Sequence, residues 1–398
     1  MRTVTEHQSF ITTLITRPEP VVLPLEQAAG RVLAEDLVAE RPLPAFDNSA
    51  MDGYAVRASD IAGASAASPV TLPVGADIPA GRVDGPALQP GTAHRIMTGA
   101  AMPEGADAVV QVEATDGGTH NVTIHEARDA GKHVRTAGED VRAGDTVLPA
   151  GAVLGPSQLG LIAALGEPAV TVIPPLRVLV LSTGSELVEA GKPLLHGQIH
   201  ESNGIMLATA VRAAGAVAEQ LRFVADNVDE FHEALNSRID HVDLVITSGG
   251  VSAGAYEVVK DALAGQGVEF VKVAMQPGMP QGAGLVHGVP VVTLPGNPVS
   301  ALVSFEVFLR PALRAAMGLP DTQRTLVRAT LTEALDSPAR RRQFRRGVLD
   351  REAGTVRPIG PPASHFLRWM AAADCLLDIA EDVTHLDAGA RVDTWLVS

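Results

Sequence analysis

Serine, glycine and asparagine concentrate at three places where an apolar run gives way to a helix-like pattern. They are Ser182-Thr183-Gly184-Ser185-Glu186, Ser248-Gly249-Gly250-Val251-Ser252-Ala253-Gly254 and Pro295-Gly296-Asn297-Pro298-Val299-Ser300. A helix N-terminus presents unpaired N–H groups and about half a positive charge, so it attracts anions. Glycine lets the backbone approach an oxyanion closely and adopt positive φ. Asn297 fits an N-cap and Pro298 the first helical position. One loop of this kind needs only turn chemistry to explain it; three on one edge of a sheet point to anion capture. Two further loops fall on the same edge, Ala225-Asp226-Asn227 and Gln276-Pro277-Gly278-Met279-Pro280. No GxxxxGK[ST] occurs, which argues against a P-loop ATPase.

A second polar set lies earlier: Asp47 to Tyr54 (DNSAMDGY), Met97-Thr98-Gly99-Ala100 and Gly138-Glu139-Asp140. Asp47 and Asp52 share a Gly/Ser-bearing loop rather than one helix face. Two such acids can hold Mg²⁺ through oxygen. Equally, Asp47 can cap a turn and Asp52 form an Asx-turn; spacing leaves both readings open. Glu186 and Asp226, at neighbouring strand ends, could add oxygens, although Glu186 at a helix start is also a plain dipole partner. His94, His133, His287 and His365 are scattered; His196 and His200 stand four apart and Gly250-Val251-Ser252-Ala253-Gly254 has the GxSxG spelling, but a Ser-His-Asp triad cannot be assembled from residue order alone. The single cysteine, Cys375, excludes an internal disulfide, a cysteine zinc cage and a cysteine-held iron–sulfur cluster, and reads as a packed small residue.

The elements that must position these groups follow from pattern. The chain has 398 residues, 46% hydrophobic and 19% charged, enough for several globular domains. A formal charge of −15 and an aromatic content of 3% tell against duplex DNA and against stacking platforms for single strands, so no nucleic-acid partner is expected. The cluster Arg340, Arg341, Arg342, Arg345 and Arg346 reads as a solvated strand end or loop. With no apolar leader and no long apolar stretch, a cytoplasmic protein without membrane contact is expected. Residues 1–45 read as helical, with apolar residues of Val22 to Glu40 at helix-like spacing; together with 152–176 they are expected to form a helical linking domain. Residues 46–151 read as a β-rich module. Between 177 and 320, apolar runs at Val178–Leu181, Leu221–Val224, Leu244–Thr247, Phe270–Val273 and Val291–Leu294 alternate with helical stretches. That predicts a central parallel α/β sheet covered on both faces. Residues 321–398 read as a small terminal β-domain. The fold class expected is therefore α/β multidomain.

The polar loops extend into longer segments: FDNSAMDGYAVR, RIMTGAAMPEGADAVVQVE, GEDV followed by Gly144 and Asp145, STGSEL, SNG, ITSGGVSAG and LPGNPVSALVSFEVFLRP, with FRRGVL and Ser364-His365 near the end. In these the chain resembles the molybdopterin molybdenumtransferase family, known as MoeA in bacteria and as the E domain of gephyrin in animals. The resemblance implies an elongated homodimer of four-domain subunits. Its 177–320 domain would bind molybdopterin and be similar to the separate adenylyltransferase (MoaB/Mog-like) fold, and 321–398 would be β-barrel-like. It implies a transferase that takes adenylylated molybdopterin, molybdate and Mg²⁺ and releases AMP and molybdenum cofactor. The active cleft would form between the 177–320 domain and the β-rich module of the partner subunit. Carried over by motif, the catalytic residues are Asp52, Thr98, Asp140, Glu186, Asp226 and Glu257, with Asp52, Glu186 and Asp226 as metal ligands. Substrate-binding residues are Ser248, Gly249, Gly250, Ser252, Gly254, Lys260, Lys272, Pro277, Pro280, Pro295, Gly296, Asn297, Pro298 and Ser300. Contact with a molybdopterin adenylyltransferase is a further expectation. Where many members read KPGKP this chain has Gln276 and Met279 in place of lysines, and Glu257 stands where Asp is common. Loss of two cations weakens an anion site unless backbone N–H groups or arginine compensate. A non-catalytic molybdopterin-binding scaffold and a molybdopterin adenylyltransferase are the competing readings.

Overall fold

The structure, a computed structural model, describes residues 1–82, 84–222, 227–250 and 258–397. Two compact units make up the chain: Val22–Val170, and Met1–Val21 together with Thr171–Ser398. Among the described residues no helix is long and apolar enough to cross a membrane.

The 22–170 unit is built round a five-stranded sheet, in the order Ala108–Gln111, Gly53–Val56, Ala93–Ile96, Val70–Ile78, Asn121–Ile124. Gly53–Val56 is buried along its whole length, and Tyr54 and Val56 pack with Ile61, Val110, Val122 and Ile124. A Cβ at Gly53 would collide with the carbonyl oxygen of Val110, so the close strand approach there requires glycine. Pro156–Ala164 is a helix with proline at its start. Contrary to the helix that apolar spacing predicts over Val22 to Glu40, this stretch forms short strands, Val21–Pro24, Val32–Leu33 and Leu37–Val38. Pro24 cannot sit inside a helix, and Gly30 turns the chain with φ 72°. The helix near the chain start lies earlier, at Val4–Leu14.

That helix, α1 (Val4–Leu14), opens the other unit. Its capping box pairs Thr3 and Glu6: the Thr3 N–H donates to Glu6 Oε2 at 2.8 Å, and the Glu6 N–H donates to Thr3 Oγ1 at 3.2 Å. The central sheet uses β1 (Arg177–Ser182), β2 (Val217–Arg222), β3 (Leu244–Ser248), β4 (Val268–Lys272), β5 (Pro280–Val286) and β6 (Val289–Leu294), in the order β2-β1-β3-β6-β5-β4. Strands β2, β1, β3 and β6 run parallel, but β5 is antiparallel to both its neighbours. The sheet is therefore mixed, where the pattern predicts a wholly parallel one. Two glycines hide β5: a Cβ at Gly284 would collide with the Gly267 carbonyl and one at Gly282 with Thr293 Oγ1, so the strand carries little apolar side chain to advertise it.

Helices cover both faces. Val178, Val180, Ile246 and Val292 pack with Leu207 and Val211 of α2 (Asn203–Ala213), with Ile11 of α1 and with Val303 and Phe308. Leu179, Leu181, Val245 and Val291 pack with Phe231 of α3 (Val228–Asn236) and Val259 of α4 (Val258–Leu263). After β6 comes α5 (Pro298–Ser304), which widens into a π-turn at Phe305–Leu309 and continues as α6 (Arg310–Ala316). Pro311 has no N–H to give, and the wider turn before it accommodates its ring.

The C-terminal part closes on itself. Strands β7 (Leu326–Leu331), β8 (Arg342–Asp350), β9 (Thr355–Pro358), β10 (Cys375–Ile379) and β11 (Arg391–Leu396) pair in the cycle β8-β9-β7-β11-β10-β8, a small barrel. Cys375 is fully buried in it, and burial pushes its thiol well above the ordinary range. The arginine cluster is solvated only in part: Arg340 is exposed on a turn, but Arg346 is 3% exposed, and Arg342 Nε donates to Asp378 Oδ1 at 2.7 Å in a bidentate pair.

Candidate active site

Loops following β1, β3 and β6 meet at a cavity of about 970 Å³ in the unit that holds both chain ends. Backbone packs on backbone there. Gly249 and Gly250 have φ of 95° and 66°, and a Cβ on Gly249 would stand 2.8 Å from the Thr183 carbonyl oxygen. Gly296 lies against Gly249 Cα, and Asn203 Nδ2 donates to the Gly296 carbonyl at 2.7 Å, tying the start of α2 to the loop before α5. Asn297 is the N-cap of α5, yet its side chain makes no capping bond. Ser248 is 2% exposed, and its Oγ has no partner among the described residues. Gln276 Oε1 accepts from Gln343 Nε2 at 2.7 Å. Pro362, Ala363 and Ser364 form a further wall, held by Arg346, which donates to the carbonyls of Ala363 (3.2 Å) and Pro361.

Of the expected site residues, Glu186, Ser248, Gly249, Gly250, Pro277, Pro280, Pro295, Gly296, Asn297, Pro298 and Ser300 all line this cavity. Lys260 and Lys272 are exposed and are not among the described residues that line it. Asp226, Ser252, Gly254 and Glu257 lie outside the described residues. Neither Lys nor Arg occurs among the described lining residues, whereas Glu186 and Glu201 do. A ligand entering here meets backbone, neutral side chains and these two carboxylates, with no Lys or Arg among the described lining residues.

Asp52, Thr98 and Asp140 belong to the 22–170 unit. Register pairs Gly53 with Ile96, so Asp52 just before one strand meets Thr98 just after the next. Asp52 Oδ1 accepts from the Thr98 N–H at 2.7 Å and from Thr98 Oγ1 at 2.8 Å. These bonds hold the Asp52 carboxyl below the usual carboxylate range. Asp140 is exposed. Asp47 Oδ1 accepts from the Ala137 N–H at 2.7 Å, which favours the turn-fixing reading for that residue.

Three family models match successive stretches of the chain: the MoeA N-terminal region (domain I and II) over residues 2–166, the probable molybdopterin binding domain over 179–315, and the MoeA C-terminal region (domain IV) over 328–397. The chain is 58% identical over 402 residues to molybdopterin molybdenumtransferase 2 of Mycobacterium tuberculosis, covering 99% of each. The chain belongs to the molybdopterin molybdenumtransferase family. Members of this family are transferases, and so is this chain. It is also 37% identical over 376 residues to the molybdopterin molybdenumtransferase of Haemophilus influenzae, covering 93% of this chain and 92% of that one. A crystal structure of the molybdopterin biosynthesis MoeA protein from Pyrococcus horikosii superposes with a TM-score of 0.84 at 31% identity, covering 100% and 99% of the two chains.

Mg²⁺ is the metal that the molybdenumtransferase family implies. Among the described residues no group of three His, Cys, Asp or Glu side chains is placed to hold a metal. Mg²⁺ commonly needs only one or two carboxylates beside substrate phosphates and water, and the exposed Glu186 carboxylate in the cavity fits that pattern. Sequence reasoning missed Glu201, Pro362 and Ala363; Asn203, Gln276 and Ser364 lay in segments it singled out without being named as site residues. The SNG motif pointed to Asn203; no spacing pointed to Glu201.

Proposed function

We propose that the chain inserts molybdate into adenylylated molybdopterin and releases AMP, completing the molybdenum cofactor. The observation that carries this reading is the cation-poor, backbone-lined cavity where Ser248, Gly249, Gly250, Gly296 and Asn297 converge beside Glu186. The name of the Mycobacterium tuberculosis relative and the molybdopterin-binding description of the 179–315 family model support it.

Each residue's role follows from its chemistry. N–H groups at Gly250 and the start of α5 bind phosphate and molybdate oxygens, aided by the helix N-terminus, while the Gly249 N–H is given to the Leu294 carbonyl at 3.1 Å. Ser248 Oγ, buried and without a partner among the described residues, offers one further donor. Mg²⁺, held by Glu186 with Asp226 as the expected second ligand, would supply Lewis-acid neutralisation of charge on the phosphoanhydride. Thr98 holds the Asp52 carboxylate with two hydrogen bonds that favour its ionised form, and Asp52 and Asp140 are assigned to the same reaction through their motifs. The dithiolene sulfurs that receive molybdenum belong to the substrate, in accord with a chain whose one cysteine is buried in the barrel. Homodimer formation, contact with a molybdopterin adenylyltransferase and a cytoplasmic place of action belong to the same proposal, through the family resemblance.

The test supplies purified protein with adenylylated molybdopterin, molybdate and Mg²⁺ and measures AMP. Release of AMP is expected, slowed about 100-fold in Glu186→Ala and in Asp52→Ala, a loss of the size that Lewis-acid support represents. No AMP would leave a scaffold. Product formed only from ATP and unmodified molybdopterin would make the chain an adenylyltransferase.

A further inference from the structure

Glu201 is a carboxylate with no obvious place in a cavity built for anions. It lines the cavity immediately before Ser202 and α2. Its Oε1 accepts from Ser182 Oγ at 2.9 Å and from the Gly204 N–H at 2.6 Å, so the carboxylate is fixed from the end of β1 and from the first turn of α2. Among the described residues nothing donates to Oε2. Two residues on, Asn203 also lines the cavity. Its Nδ2 is committed to the Gly296 carbonyl, which leaves Oδ1 buried and without a partner among the described residues. Two acceptors on residues two apart in the chain therefore belong to the cavity lining, and the buried one, Asn203 Oδ1, is of a kind rarely left unmatched in native proteins.

A ligand that suits them brings two donors side by side. Phosphate and molybdate bring none, but a pterin ring does, through N3–H and the exocyclic 2-amino group. We infer that Glu201 and Asn203 read this donor edge of the pterin, with Ser182 as the positioning residue that holds the Glu201 carboxylate. The inference rests on the reading above that molybdopterin enters this cavity, and it names the residues that recognise its ring. Charge-assisted hydrogen bonds are about twice as strong as neutral ones, so Glu201 is expected to contribute more to discrimination than Asn203.

The test compares direct binding of pterin-6-carboxylate and lumazine-6-carboxylate, in which a 2-oxo group replaces the 2-amino group. Unaltered protein is expected to prefer the pterin at least about tenfold, the size of a charge-assisted hydrogen bond. Glu201→Gln keeps an oxygen for Ser182 and Gly204 but turns the second acceptor into a donor. It should bring the preference below about threefold and raise KM for adenylylated molybdopterin about tenfold, leaving kcat, molybdate binding and Tm unchanged. Ser182→Ala should give a smaller loss of the same kind. Retained preference in Glu201→Gln overturns the inference, as does loss of Tm and molybdate binding together with the preference, which would mark a structural role. Because the binding assay needs no turnover, AMP release without pterin preference defeats only this inference. Pterin preference without AMP release defeats only the transferase reaction.

Discussion

Thr98 gives both its N–H and its hydroxyl to one oxygen of Asp52, and both bonds favour the ionised carboxyl. A carboxyl whose pKa is depressed in the folded protein is charged above that pKa and loses its role as pH falls through it. Thr98→Val keeps the N–H donor and removes the hydroxyl, so the Asp52 pKa should rise towards the ordinary carboxylate range. In a pH profile of kcat/KM the acid limb should move to higher pH while the alkaline limb stays in place; an unmoved acid limb would show that Asp52 does not set it. At this scale the sequence was informative about which loops meet. Spacing left Asp47 and Asp52 equivalent and only the family motif favoured Asp52; their partners, Ala137 and Thr98, show how differently the two are held. Glu201 was illegible for the same reason. What singles it out is that one oxygen is taken, by Ser182 from 19 residues away and by Gly204, while the other is not, and spacing does not encode that.

Among the loops, Gly249 carries two constraints at once: φ of 95° and a Cβ position 2.8 Å from a backbone oxygen. Gly265 has φ of 77° but nothing within 4 Å of its Cβ position. Gly265→Ala should therefore cost only the strain of a left-handed alanine, about 1 kcal/mol. Gly249→Ala should cost about 2–3 kcal/mol or more, since the β1 and β3 loops must also move apart. Urea denaturation of both variants measures the difference, and equal losses would remove the close-packing argument. The strands that feed these loops were legible because β1, β3 and β6 are continuous apolar runs, as buried parallel strands must be. β5 was not, since the neighbours of Gly282 and Gly284 leave no room for side chains. The Val22 to Glu40 stretch misled because helix-like spacing of apolar residues survives a proline and a positive-φ glycine that a helix does not.

Across the whole molecule, α1 is held by burial of a residue that prefers water when charged. His7 is fully buried with its ring edge-on to Phe308 at 4.8 Å, and burial pushes its pKa down to about 4. The unfolded chain protonates this ring near 6.5, the folded one only near 4. Between those values the unfolded state binds more protons, so stability falls as pH drops from about 6.5 to about 4, by about 3 kcal/mol in all. His7→Leu should flatten that part of the stability curve, and an unchanged slope in pH-dependent melts would assign it to other groups. The same helix has a consequence for synthesis of the chain. Gln8 reaches its partner carbonyl, Val307, across 299 residues, because the 22–170 unit is inserted between α1 and everything α1 packs on. At about 5–20 residues per second a ribosome needs on the order of 15–60 s to deliver that partner. A helix of 11 residues is too short to persist alone in water. Val4, Ile11 and Ile15 thus leave the exit tunnel with nothing to bind, while the inserted unit already has every residue it needs. The 22–170 unit can therefore be synthesised in full before the residues that dock α1 exist, and α1 docks only after them.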